Sequence, residues 1–335
     1  MGDEHGAEHS SPRRRCISAG LTVHFAHAFL QLSTRAPRTR DGSFSVTARH
    51  RSRPLAPSRT SFVLALRPFS LTVAVATCGL GVMLAFADAS GSATLAGAVL
   101  AAGVLLQAGV NLINDHADLA RVEFSGEQQR AIRRNARLGA VAIAVACGIG
   151  VWLVTLRGWP LLALGLAGVL GLWGYAADPI NLKARGLGLP AVFLLTGVLM
   201  VTGAYFAVTG GLAADVVAWS VPFSLFAALL LLGNELRDYE ADVVDGHRTF
   251  TVRHGLAAGE ALYRLLVVAI AGSTVLLAVL YEVPAVALSA PCLALLPLRL
   301  LGEAPAGRAP LARLTGRGYA LYSAAFLALL WMSLS

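Results

Sequence analysis

Nine stretches of this 335-residue chain contain no Asp, Glu, Lys or Arg: 68–87, 93–112, 138–156, 160–177, 188–208, 216–234, 265–281, 283–298 and 318–335. A helix needs about 20 mostly apolar residues to cross the hydrocarbon core of a bilayer. In that medium every backbone N–H and C=O must be satisfied within the spanning structure, which leaves helices or closed barrels. None of the stretches alternates polar and apolar residues as a barrel strand would, so helices are expected. The predicted fold class is therefore all-α, a multi-pass membrane helical bundle of about nine transmembrane helices. A composition that is 56% hydrophobic with only 14% charged residues agrees with this reading.

Charge placement gives the expected orientation, because cytoplasmic loops retain Lys and Arg. The loops at 113–137, 178–187, 235–264 and 299–317 hold five, two, four and four of these residues, whereas the alternate loops hold Arg157 alone. The remaining eleven of the 27 precede or open the first helix, so the N-terminus is expected in the cytoplasm of a cell-membrane protein. The net charge of +8 then reflects topology and attraction to anionic membrane lipid. No nucleic-acid partner is required. Residues 1–61 carry ten Arg with many Ser and Pro, too polar to bury a core, and are expected to form a basic, disordered cytoplasmic tail. A transit peptide or an early start codon is the alternative for that segment. The catalytic or binding domain is expected over residues 62–335. Cys16, Cys78, Cys147 and Cys292 lack any CxxC spacing and suggest neither a disulfide framework nor a metal site.

Acidic residues are concentrated instead of scattered. Segments 111–137 and 234–249 contain nine of the 19 Asp and Glu residues. Both begin where an even-numbered helix reaches the same expected surface. On a continuing helix Asn111, Asp115 and Asp118 share one face, as do Asn234, Asp238 and Asp242. Each set is an amide followed by two carboxylates. Helix ends emerging into water carry charge routinely, so one such Asp says little. Two matching stripes on one side ask for a compensating cation. Mg2+ takes carboxylate oxygens, keeps several waters and is typically completed by substrate phosphate, so two facing clusters suit a diphosphate held between them.

These residues resemble the UbiA superfamily of intramembrane prenyltransferases. The family motif NDxxDxxxD matches "NDHADLARV" at Asn114, Asp115 and Asp118, with Val122 at the last Asp position and Glu123 next to it. The pattern RDxxxDxxxGxRT with its VRxG tail matches Arg237, Asp238, Asp242, Gly246, Arg248, Thr249, Arg253 and Gly255. Two further stretches, "LRPFSLT" and "INLKARGLGLPAVFLLTGVLMVTGAYF", are most similar to the branch that prenylates 1,4-dihydroxy-2-naphthoate in menaquinone biosynthesis. Departures from that branch are Glu235, where a second Asn is usual, and Ala184, where Tyr is common.

The resemblance implies a Mg2+-dependent transfer of a polyprenyl group from its diphosphate to an aromatic acceptor. Asp115, Asp118, Asp238 and Asp242 would be the metal ligands and catalytic residues. Arg237 and Arg248 are candidates for phosphate oxygens, since guanidinium presents a matching fork. Lys183, the only lysine of the chain, and Arg185 are candidates for the diphosphate or the acceptor carboxylate. Asn111, Asn114 and Asn234 complete the expected substrate-binding set. Other acceptors (4-hydroxybenzoate, haem or a lipid alcohol) and terpene cyclisation remain open within the superfamily. A transporter is the rival from another class, but it would be expected to place ionisable groups near the midplane, and the nine stretches have none.

Overall fold

The computed structural model describes residues 61–334 apart from residue 89, residues 115, 117, 118 and 120–123, and residues 177 and 178. The basic tail therefore lies almost wholly outside the described residues. Eight long helices run in order: α1 Pro68–Ala87, α2 Ala93–Asn114, α3 Gly126–Arg157, α4 Trp159–Ala176, α5 Gly188–Thr209, α6 Ala214–Val244, α7 Leu256–Leu280 and α8 Leu311–Leu334. A 3-10 segment, Pro284–Leu295, lies between α7 and α8, and there are no strands among the described residues. The nine charge-free stretches are thus helical over nearly all of their described length, the exceptions being Tyr281, Val283, Leu296 and Pro297 beside the 3-10 segment. Among the described residues six helices, α1, α2, α3, α5, α6 and α7, are long and apolar enough to cross a membrane, and α4 and the 3-10 region are shorter apolar helices. The chain is a multi-pass helical membrane protein.

The 3-10 winding has a local cause. Pro284 opens the segment and Pro291 sits inside it, where its missing N–H removes a rung of any α-ladder. At about 2.0 Å rise per residue the 12 residues reach about 24 Å, against about 18 Å as an α-helix. The tighter winding lets a short stretch go further through the bilayer. Elsewhere, helix ends follow their signals. Ser125 and Gln128 form a reciprocal capping box at the start of α3. Gly158, at φ 76°, supplies the left-handed turn that lets α4 follow α3 after a single residue.

Small residues set the close crossings, as expected where helices cannot gain from simple apolar association. A Cβ at Gly139 would lie 2.8 Å from the Gly109 carbonyl, so α2 and α3 meet backbone to backbone. A Cβ at Gly197 would lie 2.5 Å from Ser224 Cα, which brings α5 onto α6. Helix α6 is the centre of the bundle: 67% of its apolar window is buried, against 17% for α2 and α3. Around it Phe223 and Phe226 pack on Tyr319, Tyr322 and Phe326 of α8 with ring centroids 5.0–6.4 Å apart. Hydrogen bonds join α7 to α8 within this core, Tyr263 to Thr315 at 2.7 Å and Thr274 to Tyr322 at 2.6 Å. Cys78 is buried in the core, whereas Cys147 is exposed on α3.

Interhelical contacts sort the ends of the bundle into two sets. At one, Asn111 of α2 reaches Leu66 before α1, Glu240 of α6 pairs with Arg308 before α8, and the Gly302 N–H donates to Glu260 of α7. At the other, Tyr205 of α5 donates to Asp88 at 2.5 Å, and Arg157 donates to the Ala207 and Val208 carbonyls that end α5. Trp219 and Tyr281 pack there with their rings tilted by 41° and centroids 4.8 Å apart. Consecutive long helices thus run between the two sets of contacts.

Candidate active site at the end of helix α6

The acidic stretch after residue 234 is the last part of α6, which runs without interruption to Val244. Asn234, Asp238 and Asp242 therefore occupy successive turns and are half-buried. The Asn234 amide donates to the Leu230 carbonyl at 3.0 Å, so it is engaged with its own helix. Asp238 accepts two bonds from its neighbour Arg237, Nε to Oδ1 at 2.9 Å and Nη2 to Oδ2 at 2.5 Å. Both side chains are about two-fifths exposed, so this pair adds little to folding stability and is free to rearrange around an incoming anion. Asp242 has Asp238, Asp245, His247 and Lys183 within electrostatic reach.

Beyond α6 the chain reverses through Gly246, at φ 72°, with the His247 N–H donating to the Asp242 carbonyl at 2.8 Å. Arg248 follows, exposed, and Thr249 starts a short helix, Phe250–His254. That helix is held against α6 by Glu235, which is 5% exposed and accepts from the Thr251 N–H at 3.2 Å and its hydroxyl at 3.4 Å.

The segment between α4 and α5 supplies the cations. Lys183–Arg185 form a 3-10 turn closed by Gly186 in the left-handed region. Lys183 is exposed and within electrostatic reach of both Glu235 and Asp242. Arg185 turns back on its own loop, donating to the Pro179 carbonyl at 2.8 Å. The structure thus brings Lys183, Arg237, Asp238 and Asp242 to one place and leaves Arg185 at its edge.

The other expected cluster is described only in part. Asn111 is buried, and its amide donates to the Leu66 carbonyl at 2.7 Å and to Ser70 Oγ at 2.6 Å while its oxygen accepts from Gln107. It ties α2 to the start of α1 in this structure. Asn114 is the last residue of α2. Asp115, Asp118, Val122 and Glu123 lie outside the described residues. His116 is half-buried, with no partner for Nδ1 among the described residues; burial first, and then the Arg133 guanidinium, lower its pKa below the usual imidazole value.

Among the described residues no three His, Cys, Asp or Glu side chains gather into a metal nest. Asp238 and Asp242 alone, one turn apart, offer oxygen ligands of the kind a hard cation takes when waters and phosphate complete its shell. The donor chemistry fits Mg2+, with Asp238 and Asp242 as the residues that would hold it here.

Sequence reasoning passed over two residues of this region. Glu235 registered only as a departure from a pattern, though a carboxylate three residues before Asp238 on the same helix lies on the same flank. Arg253 belonged to the motif tail, and nothing in its spacing foretold that it would reach the turn after α4.

Comparison with known proteins bears on the same region. The chain is 30% identical over 202 residues to 1,4-dihydroxy-2-naphthoate octaprenyltransferase of Mycobacterium leprae, covering 57% of this chain and 68% of that protein. It is 27% identical over 218 residues to UbiA prenyltransferase domain-containing protein 1 of Gallus gallus, covering 62% of this chain and 65% of that one. A protein of Bacillus subtilis, also named 1,4-dihydroxy-2-naphthoate octaprenyltransferase, is 25% identical over 199 residues, with 56% and 64% covered. The matches span about two thirds of each relative's length. Since residues 72–330, from α1 to nearly the end of α8, match the UbiA prenyltransferase family, this chain belongs to that family and is a prenyltransferase.

Proposed function

We propose that the protein transfers a polyprenyl group from its diphosphate to 1,4-dihydroxy-2-naphthoate, in menaquinone biosynthesis, with Mg2+ as cofactor. The observation that carries this reading is the convergence of Asp238 and Asp242 with Lys183 and Arg237 at the end of α6, in a chain whose relatives include proteins named for that reaction. Bound Mg2+ supplies positive charge that offsets the negative charge growing on the leaving diphosphate. Asp238 and Asp242, with Asp115 and Asp118 of the first motif, are its ligands in this reading. Lys183 and Arg248 approach phosphate oxygens from the loop side, and the Arg237 fork lies beside Asp238, ready for a neighbouring anion. As the allylic carbon–oxygen bond breaks, the diphosphate leaves with the electron pair. An electron-rich ring carbon of the acceptor bonds to the allylic carbon, and the acceptor carboxyl departs as carbon dioxide, returning its electron pair to the ring. The prenyl chain itself is apolar and lies among the helices and membrane lipid.

In this reading the site faces the cytoplasm of a cell membrane, and residues 1–61 form a tail outside the catalytic domain of 62–335. A second reading keeps the donor and takes an acceptor without a carboxylate: Lys183 lies within electrostatic reach of Glu235 as well as Asp242, so its charge is already partly offset. The test is to incubate detergent-purified protein with Mg2+, radiolabelled geranylgeranyl diphosphate and dihydroxynaphthoate, with and without chelator. A chelator-sensitive, lipid-extractable demethylmenaquinone-like product is expected. Diphosphate consumption only when another acceptor replaces dihydroxynaphthoate would move the assignment to the second reading. An inert, folded protein would refute both.

A further inference from the structure

Arg253 lies on the short helix Phe250–His254, exposed to solvent, yet its guanidinium is committed to two backbone carbonyls. Nε donates to the Arg248 carbonyl at 3.1 Å and Nη2 to the Ala184 carbonyl at 2.8 Å. One acceptor belongs to the segment after α6. The other is the residue next to Lys183, in the turn between α4 and α5. The side chain lies flat on that turn: a Cβ at Gly186, where φ is 77°, would come 2.7 Å from Arg253 Cδ. The turn is otherwise pinned at its α4 side, where the Leu182 N–H donates to the Gly174 carbonyl at 2.9 Å. Arg253 supplies its tie to the other side.

The tie closes a ring of contacts. Helix α6 carries Glu235, Glu235 holds Thr251, Thr251 and Arg253 share one short helix, and Arg253 holds Ala184. Ala184 follows Lys183, whose ammonium returns to the neighbourhood of Asp242 on α6. A planar fork with several N–H groups can serve two carbonyls at once, whereas an ammonium on a flexible stem tends to serve one.

We propose that Arg253 is a positioning residue that fixes the Lys183 turn against the Arg248 segment, and so sets the spacing of the two cations that meet the diphosphate. The inference rests on the reading that Lys183 and Arg248 contact a prenyl diphosphate. In this reading Arg253 acts through the Arg248 and Ala184 carbonyls that it holds, and not by contact with substrate or metal.

The experiment measures Mg2+-dependent binding of geranylgeranyl diphosphate to the full chain by isothermal titration, for wild type, R253Q, R253K, K183M and the double variant R253Q/K183M. Hydrogen exchange of the 182–187 amides is followed in parallel. Arg253→Gln is expected to weaken binding about tenfold, the loss of one well-placed charge-assisted contact, and to speed exchange at Gly186 and Leu187. Arg253→Lys should fall between. Because Arg253 acts partly through Lys183, the double variant should bind less weakly than the two single losses multiplied together. Fully multiplicative losses would overturn the proposal, as would R253Q binding like wild type with unchanged exchange. If R253Q does not fold, R253K decides alone, and wild-type affinity and exchange in R253K refute the tie. A wild-type protein that binds no prenyl diphosphate would instead sink the functional reading and this inference with it.

Discussion

Cutting the ion pair between Arg308 and Glu240 from either side should give unequal results. Arg308 is 2% exposed, and its partner side chain on α6 is 46% exposed. The guanidinium also donates to the Glu303 carbonyl at 2.8 Å, and its Nε has no partner. Removing one member of a fully buried pair costs about 3–5 kcal/mol, because it strands the other charge. In Glu240→Ala water reaches the vacated side, so about 2 kcal/mol is expected. In Arg308→Met the apolar stem volume is largely kept, the cation that was costly to desolvate is gone, and the remaining carboxylate is half in water. Its loss should be about 1 kcal/mol or less. At about 2–4 °C per kcal/mol, tryptophan-fluorescence midpoints in detergent at one scan rate should fall by about 6 °C for Glu240→Ala and by about 2 °C for Arg308→Met. Glu240→Gln, which keeps an acceptor oxygen, should lie between. A larger loss in Arg308→Met would refute the reasoning and show that attraction outweighs desolvation here.

Other perturbations test the packing and the site. Gly197→Ala places a methyl 2.5 Å from Ser224 Cα, so α5 must move off α6; a loss of about 1–3 kcal/mol is expected, measurable by the same unfolding midpoint. Ser224→Ala should not rescue it, because the backbone contact remains. Thr315 Oγ1 donates to the Leu311 carbonyl and so accepts from Tyr263, and Tyr263→Phe should cost about 0.6 kcal/mol and no more than about 1.7. Asp238→Asn keeps shape but removes charge, and prenyl transfer should fall about a hundredfold or more while membrane insertion and folded yield are unchanged. Full activity of the purified variant would discard Asp238 as a metal ligand.

Much of the architecture was legible because charge-free length is a direct readout of bilayer thickness. The helices nevertheless overrun those stretches. Helix α3 begins at Gly126, twelve residues before its apolar run, and the signal was present in the capping pair Ser125 and Gln128. The 3-10 winding of Pro284–Leu295 follows from its two prolines, whereas its packing against α7 and α8 is not encoded locally. Spacing placed Asp238 and Asp242 on one face of α6, and the structure keeps them there. What spacing does not encode is the partner of each polar group. Asn111 fits the stripe by periodicity yet bonds across to Leu66 and Ser70, and Arg308 counted as one more loop cation yet is buried. Such pairings are set by which distant segment arrives beside a side chain, information that no local pattern holds.

The unbroken length of α6 has a kinetic consequence. Its 31 residues extend about 46 Å, and a hydrocarbon layer of about 30 Å covers about two thirds of that. Counting from Ala214, the surplus of about 16 Å starts near Asn234, so Asp238 and Asp242 stand at the depth of the lipid headgroups. A prenyl donor dissolved in the leaflet carries its polar end at that same depth. Encounter is then a search in two dimensions, and the quantity that sets its rate is surface density in the bilayer or micelle instead of bulk concentration. Adding detergent at a constant total amount of donor dilutes that surface and should slow turnover even though nothing in the protein has changed.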